Sequence, residues 1–393
     1  MEEKNHLKAW HGLLASALAI LFLWFGGYLL YPLFGEIGGY LAPLCIALIA
    51  IVIVWLTKTK VSEVFPFRLP SVREFFTSVG MYIGITMLGA AVTMLLMYLL
   101  PQYTDRDAAI NDMVRQLHPV VAILLIAVQP AVCEEFFCRG FLISCLRRCK
   151  REWTVIVVTA LVFGALHLDF VAFFPTALLG GLFAYLAIRT RSLLLPIFFH
   201  FVNNAISTVT AYGASNSEAT ATVEELTLAG TIGLVLFYLG LAVLFLYVSS
   251  RLFLRKKIFT KSGIVLFVVA AILFSVGNSV FAFGQLVKVF EVDTVAYTDE
   301  TVISYTVLLT QGVYQVYASA VSVPADGSQE QDTLRIDLSR NGEVLASSDT
   351  GARTALQSVM TLSEGEYTLT VVCDAAEVNS GTAVVSVMVM QQE

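Results

Sequence analysis

Residues 119–146 read PVVAILLIAVQPAVCEEFFCRGFLISCL, an apolar run whose three charged residues are Glu134, Glu135 and Arg139. A helix of about 20 residues crosses the ~30 Å hydrocarbon core of a bilayer, so this run is long enough to span it. Charged side chains inside a span cost ~2.5–3.5 kcal/mol each, and they persist where they pair, line a cavity or carry chemistry. The stretch therefore predicts a membrane helix with a polar site at mid-depth.

The rest of the chain repeats this apolar character. Apolar residues make up 57% of the sequence and charged residues 14%, whereas soluble domains contain about 45–50% and 25%. The excess falls into nine blocks of span length, which predicts a polytopic α-helical membrane domain over residues 1–288 with its motif core at 119–210. The expected spans are 11–31, 39–57, 76–100, 119–146, 153–168, 170–188, 192–211, 228–249 and 262–284.

The segments that connect these blocks differ in their content of basic residues. The N-terminal segment and the loops on one side carry seventeen lysines and arginines, and the loops on the other side carry only Arg106 and Arg115. Because basic loops stay in the cytoplasm, we expect a cytoplasmic N-terminus and an extracytoplasmic C-terminal region, in the plasma membrane of a bacterium. The lipid bilayer is thus an expected partner, and no basic tract suited to nucleic acid is present.

Residues 291–393 follow a different pattern, in which apolar and polar residues alternate with period two, as at 301–307 and 313–317. This alternation predicts half-buried antiparallel strands. Asn341-Gly342 predicts a tight hairpin, because both turn residues need a positive φ. We therefore expect a small all-β sandwich of about seven strands. It contains no histidine and no catalytic cluster, which favours a role as a spacer or in binding a protein partner.

The charged residues of the first stretch divide into a pair and a single group. Glu135 and Arg139 are four residues apart, so they share a helix face and can form an ion pair. Glu134 lies about 100° around the helix and is left to face a cavity. Pro130, four residues earlier, is expected to kink the helix. A structural ion pair would explain Glu135 and Arg139 but not the adjacent carboxylate of Glu134. This additional carboxylate favours a functional role for the site.

Two later spans carry the histidines that lie within the membrane. His167 follows Phe163 by four residues in the fifth span, and Asn204 follows His200 by four in the seventh. Convergence on one water molecule would explain why these costly polar groups are present. Glu134 would act as a general base, and His167 would position or polarise the water. His200 and Asn204 would donate hydrogen bonds to an oxyanion, as amide hydrolysis requires.

A metal site is the alternative that these residue types leave open. Glu134, His167 and His200 offer a carboxylate and two imidazoles that could bind Zn²⁺, with a water in the open position. No HExxH motif is present, so a zincin helix is excluded.

The three motifs, EExxxR at 134–139, FxxxH at 163–167 and HxxxN at 200–204, together resemble those of the CPBP family of intramembrane proteases. This family includes the type II CAAX prenyl endopeptidases and bacterial relatives linked to bacteriocin processing and self-immunity. The resemblance implies a helical membrane core with a cavity in the bilayer. It suggests a prenylated CAAX protein as one substrate class, and an unmodified leader peptide or the tail of a membrane protein fits equally well.

Roles for single residues also come with this resemblance. It implies that Glu134 and His167 activate the attacking water. It implies that His200 and Asn204 form the oxyanion hole, and that Glu135 and Arg139 organise the site.

Two other functions compete with an intramembrane endopeptidase. A catalytically silent scaffold or immunity protein could keep the same fold and bind a peptide or partner through the outer β domain, but the complete set of six polar residues argues against it. A proton-coupled carrier could use the buried carboxylate and histidines as a relay. Such carriers have repeated hydrophobic halves, and the sequence shows no internal repeat.

Overall fold

The chain folds into two compact units, one mainly helical and one mainly of β-strands, which are described separately. The helical unit comprises residues 1–225 and 231–278, and the β unit comprises residues 226–230 and 279–393. The computed structural model describes residues 6–34, 41–100, 114, 117–213, 228–297, 301–309, 311–324, 333–349, 353–374 and 381–392.

Nine apolar helices with at least 14 residues occur in the described part of the chain. They are α1 (Ala9–Phe34), α2 (Ala42–Leu56), α3 (Val72–Leu99), α4 (119–146), α5 (Glu152–Ala165), α6 (Phe170–Thr190), α7 (Leu194–Gly213), α8 (Leu228–Phe253) and α9 (Lys261–Leu286). Seven of these are long and apolar enough to cross a membrane. The exceptions, α2 and α5, would each measure only about 20 Å along the axis. The protein is thus a multi-pass membrane protein, while the count of nine crossings stays a prediction.

Each expected span contains a helix, and local chemistry explains where some of the ends differ. α3 begins four residues before the expected span because Ser71 caps it. The Ser71 hydroxyl accepts a hydrogen bond from the Glu74 amide, and the Glu74 carboxylate accepts one from the Ser71 amide, which is a capping box. α5 ends at Ala165, so His167 lies in the turn before α6 rather than inside a helix. Leu168 in that turn has a φ of 53°, a value that no helix accommodates.

The helical unit is apolar on its outside and has a densely packed interior around α4. Trp55 and Trp153 are more than 70% exposed, as expected of side chains that contact lipid rather than water. In α4, by contrast, Phe137, Phe141 and Leu142 are fully buried. The interior position of α4 places its charged residues away from lipid.

The β unit contains eight antiparallel strands in two sheets, one more than the expected number. The strands are β1 (Val287–Tyr297), β2 (Thr301–Leu309), β3 (Gly312–Pro324), β4 (Thr333–Arg340), β5 (Glu343–Ser347), β6 (Arg353–Leu362), β7 (Gly365–Asp374) and β8 (Gly381–Gln392). Their order is β1-β8-β3-β6 in one sheet and β2-β7-β4-β5 in the other. Tyr314 and Val387 of the first sheet share one buried cluster with Ile336 and Val371 of the second.

The predicted hairpin at Asn341-Gly342 is confirmed. Asn341 and Gly342 have φ values of 50° and 82° and join β4 to β5. Positive φ at both positions gives the turn the twist that the flanking strands need.

Candidate active site

A buried chain of hydrogen bonds joins α4 to α7. Arg139 Nη1 donates to Glu135 Oε1 at 2.7 Å, and His200 Nδ1 lies 2.9 Å from the same oxygen. The side chains of Glu135 and Arg139 are fully buried, and that of His200 is 4% exposed. Arg139 Nη2 also donates to the Gly180 carbonyl in α6 at 2.9 Å. The expected Glu–Arg ion pair is therefore present, and it ties three helices together.

The contact with Glu135 fixes the tautomer of His200. Glu135 forms an ion pair with Arg139, and a carboxylate only accepts hydrogen bonds. His200 must then carry a hydrogen on Nδ1, and in the neutral form of the ring Nε2 is the atom with a free lone pair. That Nε2 atom lies 3.9 Å from Glu134 Oε2. Glu134 Oε2 is itself buried and has no hydrogen-bond partner among the described residues.

His167 is held by the C-terminal end of α5 in a similar way. Its Nδ1 atom lies 2.9 Å from the carbonyl oxygen of Phe163. Because a carbonyl oxygen can only accept, His167 also carries a hydrogen on Nδ1, and in the neutral form of the ring Nε2 is the acceptor. The next helix starts at once, since Asp169 caps α6 by accepting a hydrogen bond from the Ala172 amide at 2.6 Å. The turn therefore holds His167 in one orientation.

The Phe163 ring lies between the polar groups from different helices. The guanidinium carbon of Arg139 lies 4.2 Å from the centroid of this ring, which is a cation–π contact. The His167 and His200 rings meet Phe163 edge-on, with centroid separations of 5.1 and 5.4 Å. Phe163 thus contacts both histidines although 33 positions separate them in the sequence.

Asn204 forms a hydrogen bond with a backbone carbonyl of α4 near Pro130. Residues Ile123–Val128 and Phe136–Leu142 of α4 are π-helical, and an α-helical segment, Gln129–Glu135, lies between them. Pro130 has no amide hydrogen, so it cannot bond to the Ile126 carbonyl four residues earlier. That carbonyl accepts a hydrogen bond from Asn204 Nδ2 at 3.1 Å. The proline expected to kink the helix therefore also provides an acceptor for α7.

The neighbouring Asn203 takes part in the same network. Its Nδ2 atom donates to Asn204 Oδ1 at 3.3 Å, and its Oδ1 atom accepts from the Tyr82 hydroxyl of α3 at 3.4 Å. Asn204 Nδ2 still has a second hydrogen that none of these contacts uses.

Gly180 supports the site through both its carbonyl group and its lack of a side chain. A Cβ at this position would lie 2.9 Å from Phe163 Cδ1 and 3.1 Å from Phe163 Cβ. A Cβ at Gly181 would have ordinary contacts, the nearest with Ala160 Cβ at 3.7 Å. Only the first glycine is therefore required for the approach of α6 to the Phe163 ring.

Gly180→Ala is expected to destabilise the helical unit by about 1–3 kcal/mol, because the added methyl group overpacks against Phe163. Gly181→Ala is the matched control, and we expect it to be neutral or stabilising by up to about 1 kcal/mol, since alanine favours a helix. Thermal unfolding of the two purified variants in detergent measures the difference. Equal midpoints would show that α6 moves freely to relieve the contact.

The three candidate zinc ligands are not gathered into a metal site. Among the residues that the structure describes, no three His, Cys, Asp or Glu side chains are grouped as ligands for a metal ion. His200 Nδ1 is occupied by Glu135, and its Nε2 atom is 3.9 Å from the nearest Glu134 oxygen. His167 Nδ1 is occupied by the Phe163 carbonyl.

Several supporting groups could not be read from the sequence. The Gly180 and Ile126 carbonyls are backbone groups without a side-chain signal, and Tyr82 lies 121 residues from the asparagine that it contacts. Phe163 was expected only as the first residue of a motif, whereas its ring contacts Arg139, His167 and His200.

A comparison with protein-family models matches the region that contains the candidate site. Residues 116–206 match the family described as type II CAAX prenyl endopeptidase Rce1-like, which is a family of proteases. Comparisons with curated proteins and with solved structures gave no match. The resemblance to the CPBP family of intramembrane proteases is therefore confirmed over residues 116–206, the segment that contains all six predicted site residues.

Proposed function

We propose that this protein is an intramembrane endopeptidase in which Glu134 activates a water molecule to hydrolyse a peptide bond. The observation that carries this proposal is the 3.9 Å separation between Glu134 Oε2 and Nε2 of His200. A water about 2.8 Å from both acceptors would make an angle of roughly 90° between them, close to the angle between its own hydrogens. Its lone pairs would then be free to attack a carbonyl carbon.

The proposed reaction moves one proton. As the water oxygen bonds to the carbonyl carbon, its proton passes to Glu134 and is shared with His200. When the C–N bond breaks, this proton moves to the leaving nitrogen, giving a carboxylic acid and an amine. His167 is proposed to activate the water together with Glu134 through Nε2 of its neutral ring, since its Nδ1 contacts the Phe163 carbonyl.

The oxyanion requires hydrogen-bond donors, and the protonation of His200 determines whether this residue can donate. A neutral His200 only accepts at Nε2, so it can donate to the oxyanion only once it is protonated. Glu135, 2.9 Å from Nδ1, would stabilise the imidazolium form. The second N–H of Asn204 is the other proposed donor. Arg139 would hold Glu135 in place through their 2.7 Å contact, which is a positioning role.

The test of this function is peptide cleavage by the purified full-length protein in detergent micelles. The substrates are a mixed library of hydrophobic peptides, and mass spectrometry in H₂¹⁸O detects new C-termini. Incorporation of ¹⁸O into the new carboxylate is expected, because water attacks directly. Absence of any product would support instead a silent scaffold that binds partners.

Chelation tests the zinc alternative separately. Because the donor atoms are not grouped as metal ligands, the proposed hydrolysis does not involve a metal ion. We expect 1,10-phenanthroline to change kcat/KM by less than about twofold, whereas removal of a catalytic zinc would lower it by orders of magnitude. Loss of activity with chelator, and its return with added Zn²⁺, would assign Glu134, His167 and His200 to a metal site.

We also infer the finer topology. In this view α2 and α5 cross the membrane with the other seven helices, residues 1–288 form the membrane domain with a cytoplasmic N-terminus, and residues 291–393 form an extracytoplasmic β-sandwich. Support comes from Ser62, Arg147 and Arg191, which belong to three loops expected on the same side and line one cavity. The β-sandwich is proposed to bind a peptide substrate or a protein partner.

A further inference from the structure

A cavity of about 640 Å³ opens at the end of the helical unit where the basic loops meet. Its walls come from the loop before α3, the end of α4, the start of α5 and the turn between α6 and α7. Its volume lies in the ~300–1,000 Å³ range of small-molecule sites. Glu134 and both motif histidines are absent from its lining, so it is separate from the water site proposed above.

The cavity carries an excess of positive charge. Four basic residues line it, Arg139, Arg147, Lys150 and Arg191, against Glu63 and Glu152. Glu152 is already paired with Arg189 outside the cavity at 2.8 Å, so it neutralises little of the charge.

Within the described residues, three of these basic side chains have no carboxylate partner that would neutralise their charge. Lys150 and Arg191 are exposed, and neither has an ion pair within the described residues. Arg147 donates from its guanidinium to the Glu63 backbone carbonyl, which holds it at the wall and leaves its charge without a carboxylate. An anion that entered the cavity would meet positive charge on several sides.

Arg139 forms a buried part of the cavity wall, and its charge is paired with Glu135. Its side chain is fully buried, and its Nε–H has no hydrogen-bond partner among the described residues. A buried donor without a partner is costly. Since Arg139 also holds Glu135, it connects the cavity to the candidate active site.

We propose that this cavity binds the phosphate-bearing headgroup of an anionic phospholipid from the leaflet that faces the basic loops. Guanidinium and ammonium groups together suit a phosphate, which offers several acceptor oxygens. Basic pockets between membrane helices at the cytoplasmic surface are suited to anionic headgroups. The cavity lies where the helices end and the loops begin, which is the depth of the headgroups.

Ligand-dependent thermal unfolding tests the proposal without using proteolysis, so it can fail independently of the proposed function. Delipidated full-length protein in a neutral detergent is titrated with short-chain phosphatidylglycerol, short-chain phosphatidylcholine or inorganic phosphate. Phosphatidylglycerol is expected to raise Tm saturably by roughly 2–5 °C, because it binds the folded state. The other two ligands are expected to give less than about a third of that shift.

The test compares two double variants. One lacks two positive charges inside the cavity, and the other lacks two outside it. Lys150→Gln with Arg191→Asn should raise the half-saturating concentration about tenfold or more; asparagine is chosen because position 191 has a φ of 51°, which asparagine tolerates. The control, Lys256→Gln with Lys257→Gln, removes two exposed charges from another loop and should respond as the wild type does. Lys150→Arg keeps the charge and should retain the response.

Three outcomes would overturn the proposal. Equal responses of the cavity variant and the control would mean that the effect is general surface charge. Equal shifts with phosphatidylcholine would mean that the acyl chains or the detergent are responsible. An equal shift with inorganic phosphate would replace the lipid by a free anion as the ligand.

Discussion

Glu134→Gln is expected to lower kcat for peptide cleavage by about 10²–10⁴-fold, the usual contribution of a general base. The amide keeps the size of the side chain but cannot take a proton from water. Because Glu134 Oε2 makes no hydrogen bond within the described residues, the substitution breaks no structural contact there. We therefore expect Tm to stay within about 2 °C of the wild-type value, which separates loss of chemistry from loss of fold.

The control for this prediction is Glu343→Gln, the same change of an exposed carboxylate in the β4–β5 hairpin of the β unit. Its activity should stay within about twofold of wild type, since it lies outside the groups that hold the water. The quantity to compare is single-turnover cleavage of one peptide from the library. A Glu134→Gln protein that cleaves at the wild-type rate would remove Glu134 from the mechanism and leave the histidines as the candidate base.

The second large effect concerns stability and follows from the buried pair of Glu135 and Arg139. Glu135→Gln and Arg139→Met are each expected to lower the unfolding free energy by about 3–5 kcal/mol, because each leaves the partner charge buried without its counterion. The double variant leaves neither charge. It should therefore lose less than the sum of the two single losses, with a coupling of up to about 3 kcal/mol.

A second ion pair in the same unit serves as the control. Arg189 and Glu152 are 2.8 Å apart, but their side chains are 43% and 38% exposed. Arg189→Met and Glu152→Gln should each cost only about 0–1 kcal/mol, because water replaces the lost partner. Unfolding in mixed micelles, followed by tryptophan fluorescence, gives all these values. Additive losses for Glu135 and Arg139 would mean that each is stabilised by other neighbours rather than by the other.

Effects on both activity and stability distinguish this pair from Glu134. Loss of Glu135 or Arg139 should also reduce cleavage, because the carboxylate that contacts His200 Nδ1 would be replaced or no longer held in place by Arg139. The effect acts through His200 and is accompanied by a lower Tm. Glu134→Gln, by contrast, should lower kcat without lowering Tm.

The sequence alone determined the groups that could do chemistry. Charges inside a span are costly enough to signal a purpose, and helical spacing placed Glu135 and Arg139 on one face. Both features depend only on local geometry, so the ion pair could be predicted and is present at 2.7 Å. Alternation of apolar residues and the Asn341-Gly342 turn likewise depend on near neighbours, and they indicated the β unit.

Only the tertiary structure decided how these groups meet. Glu135 and His200 are 65 residues apart, and no periodicity indicates that they share a hydrogen bond or that His200 therefore carries its proton on Nδ1. The end of α5 before His167 and the approach of Gly180 to Phe163 also depend on packing between helices. Spacing along a chain fixes which side chains share a helix face, whereas protonation and reach depend on the partner that another helix brings into contact.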